Sequence, residues 1–265
     1  MKNVYNYSSF TLHQLSTNKP VNDYLLYIIP LICFAGAYLS TVAGMGGGLL
    51  ILGCCSQIMP LTAVVPLNGV FVLASQVARI SQFHQHIAWD ITRPFIPGSI
   101  LGAILGSFIY FSLPETVIAL MLGSVMLWFC WVPSTATSKK LTAKIPHPYF
   151  WVGMIHTFLS TLAGVGGLFQ SLMVNSRLDK KSIVATIATT LFAMSLFKTC
   201  GYIVAGFDYL AYLPVILLSW VTGILGTAIG KRSLHKVSDQ FFRWLLKAMV
   251  SIFSLRLLWL GVQTF

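Results

Sequence analysis

Two short stretches hold the residues best suited to chemistry: Leu-Ser-Thr-Val-Ala-Gly-Met-Gly-Gly-Gly at 39–48 and Leu-Ser-Thr-Leu-Ala-Gly-Val-Gly-Gly-Leu at 159–168. Seven of the ten positions are identical, 120 residues apart. In each, hydroxyls (Ser40 and Thr41; Ser160 and Thr161) stand one turn before glycines (Gly44, Gly46, Gly47 and Gly48; Gly164, Gly166 and Gly167). Glycine lets the backbone turn sharply and lets a ligand approach its amides. A helix that starts after such a turn points unpaired N–H groups and the positive end of its dipole at whatever lies before it. Starts at 46–49 and 166–169 would seat an anion. The plainer reading is that the glycines serve packing and the hydroxyls bond back to their own helix carbonyls. The duplication favours a site.

Further polar residues interrupt the apolar runs: Asn68, Ser75 and Gln76 after the first glycine stretch, Thr189, Thr190, Ser195 and Lys198 after the second. An ionisable residue inside a membrane span is a functional candidate by default. Lys198 either offsets the charge of a bound anion or, near the outer end of its run, snorkels to the surface. Arg256 is read as snorkelling, and His156 as a packed residue rather than a proton relay. None of the six acidic residues falls in the core of an apolar run, so carboxylate-based proton coupling has no carrier. Sequences of the His-Glu-x-x-His, Gly-x-Ser-x-Gly and P-loop types are absent, which points away from an enzyme and implies no cofactor. The five cysteines lie in apolar stretches without ligand spacing and read as packing residues.

The elements that must position these residues are membrane helices. Charged residues are 9% of the 265, against about 25% in a soluble domain, and apolar runs near twenty residues recur throughout. The solvent is lipid over most of the outside. The net charge of +11 sits in short clusters between apolar runs, a distribution expected of cytoplasmic loops and not of a nucleic-acid-binding face. Apolar runs at 24–43 (broken by Pro30) and 49–59 flank the first glycines, and longer runs follow at about 63–80, 94–112 and 115–133. The order returns at 149–163, 168–176, 182–205, 209–230 and 239–262. Gly98, Gly102 and Gly106 find counterparts in Gly226 and Gly230, a spacing that lets membrane helices approach closely.

This order predicts an all-α polytopic membrane protein of two inverted repeats, each a glycine-tipped broken-helix hairpin plus three transmembrane helices. The boundaries are a tail at 1–23, a first repeat at 24–133, a cytoplasmic linker at 134–148 and a second repeat at 149–265. Inversion follows from charge. The loop at 79–93 is basic in the first half, whereas the turns at 177–181 and 231–236 are basic in the second. Each hairpin then enters and leaves on one side, the glycine tips approach each other near the midplane, and both termini face outward. Paired broken helices in inverted halves are the best sequence pointer to a transporter site. Lipid-facing and partner-facing surfaces are alike in composition, so homo-oligomers are compatible with the chain.

The duplicated Ser-Thr-x-Ala-Gly-x-Gly-Gly signature, the two halves and the later glycine-rich helix resemble the TauE/SafE sulfite exporter family, also called TSUP, over about residues 25–262. The resemblance implies a permease of the bacterial cytoplasmic membrane for sulfite, sulfonates or other small sulfur-containing anions. Its implied site maps onto Gly44, Gly46, Gly47, Gly48, Gly164, Gly166 and Gly167, and onto the Ala-Thr-Thr stretch at 188–190. Leu168 stands where a third glycine is expected, and Gly53 and Val174 stand near an expected proline. The competing reading is a membrane partner of a redox or cofactor complex, in which the cysteines and His156 would matter. Metal permeation through Cys54, Cys55 and His156 is a third.

Overall fold

The computed structural model describes residues 23–43, 47–131, 146–164, 169, 173, 178–233 and 239–263. The tail at 1–22, most of the linker, and Gly44, Gly46, Gly166 and Gly167 lie outside the described residues. Among the described residues there are no strands, and nine α-helices follow one another: α1 Asp23–Ala43, α2 Gly47–Cys55, α3 Leu61–Phe83, α4 Trp89–Ser112, α5 Glu115–Trp131, α6 Pro148–Ala163, α7 Lys180–Val204, α8 Leu213–Ser233 and α9 Asp239–Gln263. Five of them, α1, α3, α4, α7 and α8, are long and apolar enough to cross a bilayer. Large apolar side chains stand exposed along their outer faces, such as Leu101, Leu105 and Phe108 on α4 and Leu217, Val221 and Leu225 on α8. Water would not tolerate such a belt, but lipid does.

Pro30 does not break its helix. The 21 residues of α1 run unbroken through it, a length of about 31 Å at 1.5 Å per residue. Membrane helices tolerate such a proline when neighbours satisfy the freed backbone groups. The carbonyl freed by the missing N–H is that of Leu26, one turn earlier, and Thr222 Oγ1 of a later helix adds a bond to Pro30 O at 2.8 Å. The consequence is depth: α1 carries its glycine tip nearly across the bilayer instead of to its middle.

Contacts between helices fix their directions. Along α1 and α8, Pro30 meets Thr222, Phe34 meets Gly226, and Thr41 meets Gly230, so the two run parallel. Along α4 and α6, Phe95 meets Gly153, Gly102 meets Met154 and Gly106 meets Thr161, again parallel. Tyr209 reaches Pro66, Trp220 reaches Val70 and Lys231 reaches Gln82, which aligns α8 with α3. Gly69 beside Lys198 and Ala88 on Thr186 set α7 against α3. Since α1 and α3 run the same way, α2 must return between them.

The glycines make these approaches feasible. A Cβ on Gly106 would sit 2.7 Å from Thr161 Cβ, and one on Gly230 would sit 2.9 Å from Thr41 Cβ. Real Cβ atoms do not come so close, so only glycine allows the helices to touch here. Thr41 and Thr161 are equivalent residues of the duplicated stretch, and the glycines against them belong to the two spaced sets compared in the sequence. α5 and α9 close the outside as an antiparallel pair, with Trp131 Nε1 donating to Ser251 Oγ at 2.8 Å and Lys247 Nζ 5.3 Å from the Trp131 ring centroid.

One end of the bundle is basic. Arg79, Arg93, Lys180, Lys181, Lys231 and Arg232 lie in the helix turns on that side, whereas the links and helix starts on the other carry Asp23, Glu115 and Asp208. At the basic end Asp179 caps α7, accepting from Lys181 N at 3.2 Å. A hydrogen bond from Ser182 and these backbone donors hold its carboxyl below the usual range.

Candidate anion site at the hairpin tips

The hydroxyls expected at the tips divide into two kinds. Thr41 Oγ1 donates to Ala37 O at 2.8 Å and Thr161 Oγ1 to Thr157 O at 2.7 Å. Thr189 and Thr190 do the same to Ala185 O and Thr186 O, at 2.9 and 2.8 Å. Each of these protons is committed to its own helix, which is what the plainer reading of the sequence expects. An anion needs donors, and a threonine so engaged offers only lone pairs.

The serines behave differently. Ser40 Oγ accepts from Arg79 Nη2 at 2.8 Å. Ser160 Oγ accepts from Lys198 Nζ at 3.3 Å, and Ser160 O accepts from the same ammonium at 3.1 Å. A hydroxyl that accepts from a cation has its own O–H to direct at a ligand. Ser40 and Ser160 are equivalent in the duplicated stretch, and Arg79 and Lys198 follow each of them by 39 and 38 residues. The two hairpins thus carry the same device: a serine one turn before the tip, bonded to a cation late on the next long helix.

Lys198 does not snorkel. It is 2% exposed, and Gly69 of α3 faces it, with an added Cβ there 3.7 Å from Lys198 Cε. The chain has six carboxylates (Asp23, Asp90, Glu115, Asp179, Asp208 and Asp239), each within the first two residues of a helix, at its cap or in a link. None lies in a helix interior where Lys198 sits. A buried charge without an opposite charge is strongly disfavoured. Ser160 accepts two bonds from the ammonium, and no third acceptor stands among the described residues.

Gly164 ends α6 in the left-handed region, at φ 67°, and its N–H donates back to Ser160 O at 2.9 Å. Glycine adopts this conformation without the strain other residues incur. Its carbonyl accepts from Asn68 Nδ2 at 3.3 Å, while the buried Asn68 Oδ1 has no partner among the described residues. Asn68, Ser160, Gly164 and Lys198 therefore gather at the second tip. Gly47 serves packing instead: a Cβ there would lie 2.6 Å from Ser40 Cβ, so its bare backbone lets α2 fold back on α1. Gly48 is half-buried beside Val72. Thr189 and Thr190 lie two to three turns before Lys198 on α7.

The described residues flanking the two tips pack against different neighbours. Thr41 lies level with Gly230, next to Lys231 and Arg232, so the first tip sits toward the basic end. Gly164 packs on Leu52 and Val65, so the second tip rests on the body of α2 and the start of α3. Helices of 21 and 16 residues reach about 31 and 24 Å, each past the middle of a hydrocarbon core of about 30 Å.

An aromatic cluster covers the second tip on its outer side. Tyr202, one turn beyond Lys198, is fully buried and donates its O–H to Thr161 O. Its ring meets Tyr110 at 5.6 Å and Phe111 at 5.7 Å, and Phe207 and Tyr209 continue the layer. His156, one turn before Ser160, is packed between Phe95 and Phe169 with ring centroids 6.2 Å from each. Its Nε2 has no partner among the described residues.

Sequence reasoning misses Arg79, which it places in a basic loop, yet α3 continues to Phe83 and holds the guanidinium at Ser40. The signal is present: Arg79 lies almost one repeat length before Lys198, with Ser75 and Ser195 120 residues apart as well.

No curated protein and no solved structure matches the chain. The family model described as Sulfite exporter TauE/SafE matches residues 28–257, most of the 265. That match covers both glycine stretches, both serine–cation pairs and all nine helices in whole or large part, and the chain belongs to the TauE/SafE sulfite exporter family.

Proposed function

We propose that the chain is a secondary transporter that moves a small sulfur-containing anion, such as sulfite or an organosulfonate, outward across the bacterial cytoplasmic membrane. Family membership supports the anion class. The observation that carries the site is the buried Lys198 ammonium, bonded to Ser160 at a glycine-ended helix with no carboxylate beside it. An oxyanion would complete it, since the Lys198 ammonium and the Ser160 hydroxyl both offer donors.

The helix directions support an inverted repeat, since α1 and α3 run opposite to α6 and α7. In this reading the basic end faces the cytoplasm by the positive-inside rule, and both termini face outward. The anion passes from one hairpin tip to the other as the hairpins alternate in exposure. The arrangement is closed over Lys198 on the outer side by the Tyr110–Tyr202 layer, as one stage of such a cycle requires.

The test is thermal stability of the purified protein in detergent with sulfite, thiosulfate, sulfate, sulfoacetate, taurine or chloride. A ligand that binds only the folded state raises its apparent stability by mass action. A selective rise with a sulfur anion, lost when Gly46 or Gly166 is made bulky, supports the reading. No rise with any of the six, from a folded sample, refutes it.

A further inference from the structure

Resting on that reading, we infer that the passage contains two anion subsites in series: Lys198–Ser160, and a second formed by Arg79 and Ser40 at the basic end, which loads the anion from the cytoplasmic side. Arg79 Nη2 donates to Ser40 Oγ at 2.8 Å, and Ser40 stands one turn before the first tip as Ser160 stands before the second. Arginine presents five donors in a planar fork suited to two oxygens of one oxyanion, and Ser40 engages only part of it. No carboxylate lies within α3, the helix that carries Arg79.

Gln76 gives a second sign of a ligand. It lies one turn before Arg79 on the same face of α3, is 6% exposed, and its Oε1 has no partner among the described residues. A protonated oxyanion, or the water it carries, would supply the missing donor. Beyond Arg79 the surface stays basic: Lys231 Nζ donates to Gln82 Oε1 at 3.3 Å, one turn along α3, and exposed Arg232 follows it. A rim of one sign raises the local concentration of the opposite ion and speeds its capture.

The two subsites are separate places. Gly69, which faces Lys198, and Arg79 are ten residues apart on α3, about 15 Å of helix rise. One small oxyanion cannot touch both. They also differ in access, since Arg79 and Ser40 are half-buried whereas Lys198 is sealed under Tyr202 and Tyr110. The half-open subsite receives and the sealed one holds.

The experiment is equilibrium binding of sulfur-35 sulfite and thiosulfate to the purified full chain, counted per protein. The expected stoichiometry is about two per chain, falling to about one in Arg79→Gln and in Lys198→Gln, with Arg79→Lys keeping about two. Size exclusion and melting establish that each variant is folded, and the wild-type count stands on its own if a variant is not. About one anion per chain, kept in Arg79→Gln and lost in Lys198→Gln, overturns the second subsite and leaves the transporter reading intact. Loss of both anions in Arg79→Gln also overturns it, because the subsites would not be independent. No binding to wild type refutes the transporter site itself.

Discussion

Replacing Lys198 with methionine separates a functional cation from a structural one, because the two roles predict opposite signs. Methionine matches the length of the lysine stem and removes the charge. Taking an ammonium out of water carries a penalty of several kcal/mol even after relaxation. Against this stand two hydrogen bonds to Ser160, each worth about 1.5–3 kcal/mol for a charged donor. Ser160 O keeps Gly164 N–H as a partner when the lysine is lost, so no carbonyl is orphaned. Swapping a buried ionic group for a well-packed apolar one is commonly neutral or stabilising by about 1–4 kcal/mol. At about 2–4 °C per kcal/mol for a chain of this size, the ligand-free Lys198→Met variant should melt at or a few degrees above wild type. Binding should go the other way. Truncating one member of a buried charge pair costs about 2–5 kcal/mol, or roughly thirty-fold to a few thousand-fold in affinity for sulfite. The assay is a melting curve in detergent with and without sulfite. A variant that melts well below wild type yet keeps its full sulfite shift would refute the reasoning, because Lys198 would then be holding the fold and not the anion.

Leucine at Gly106 or Gly230 should force α4 from α6 or α1 from α8, since the added Cβ already lies 2.7 or 2.9 Å from a threonine Cβ. Overpacking of this kind costs about 1–3 kcal/mol, visible as a lower melting temperature and a broader size-exclusion peak. Alanine for Thr189 should leave sulfite binding within about two-fold of wild type, because its hydroxyl proton serves Ala185 O; a loss of about ten-fold by titration would return it to the site. Tyr202→Phe removes the O–H donor to Thr161 O, a loss of about 0.5–1.5 kcal/mol, and should lower the melting temperature by roughly 1–6 °C. The same change should loosen the cover over Lys198, read as faster release of bound sulfur-35 sulfite.

The helices and the two glycine stretches were legible because both are local signals: a long apolar run has few other fates, and the duplication stands in ten contiguous residues. Loop charge led to the reading of inverted halves, and Thr41 packs on Gly230 as Thr161 packs on Gly106. What the sequence could not separate was Ser from Thr at adjacent positions. Thr41 and Thr161 turn back to carbonyls one turn away, whereas Ser40 and Ser160 meet cations brought by another helix. That distinction depends on how α3 and α7 are rotated against the hairpins. Lys198 was ambiguous for the same reason, as a lysine near a helix end snorkels or turns inward according to which face meets lipid. Pro30 misled on depth, because a proline within a membrane helix removes one hydrogen bond without ending the helix, and α1 continues through it.

The most direct test of the account is counterflow in proteoliposomes: vesicles holding the purified protein and unlabelled sulfite, diluted into a trace of sulfur-35 sulfite. The account predicts rapid, saturable, transient accumulation of label with wild type and none with Lys198→Met, although that variant is folded. Equal accumulation in both, or no accumulation of sulfite, thiosulfate or sulfoacetate by folded wild type, would contradict it.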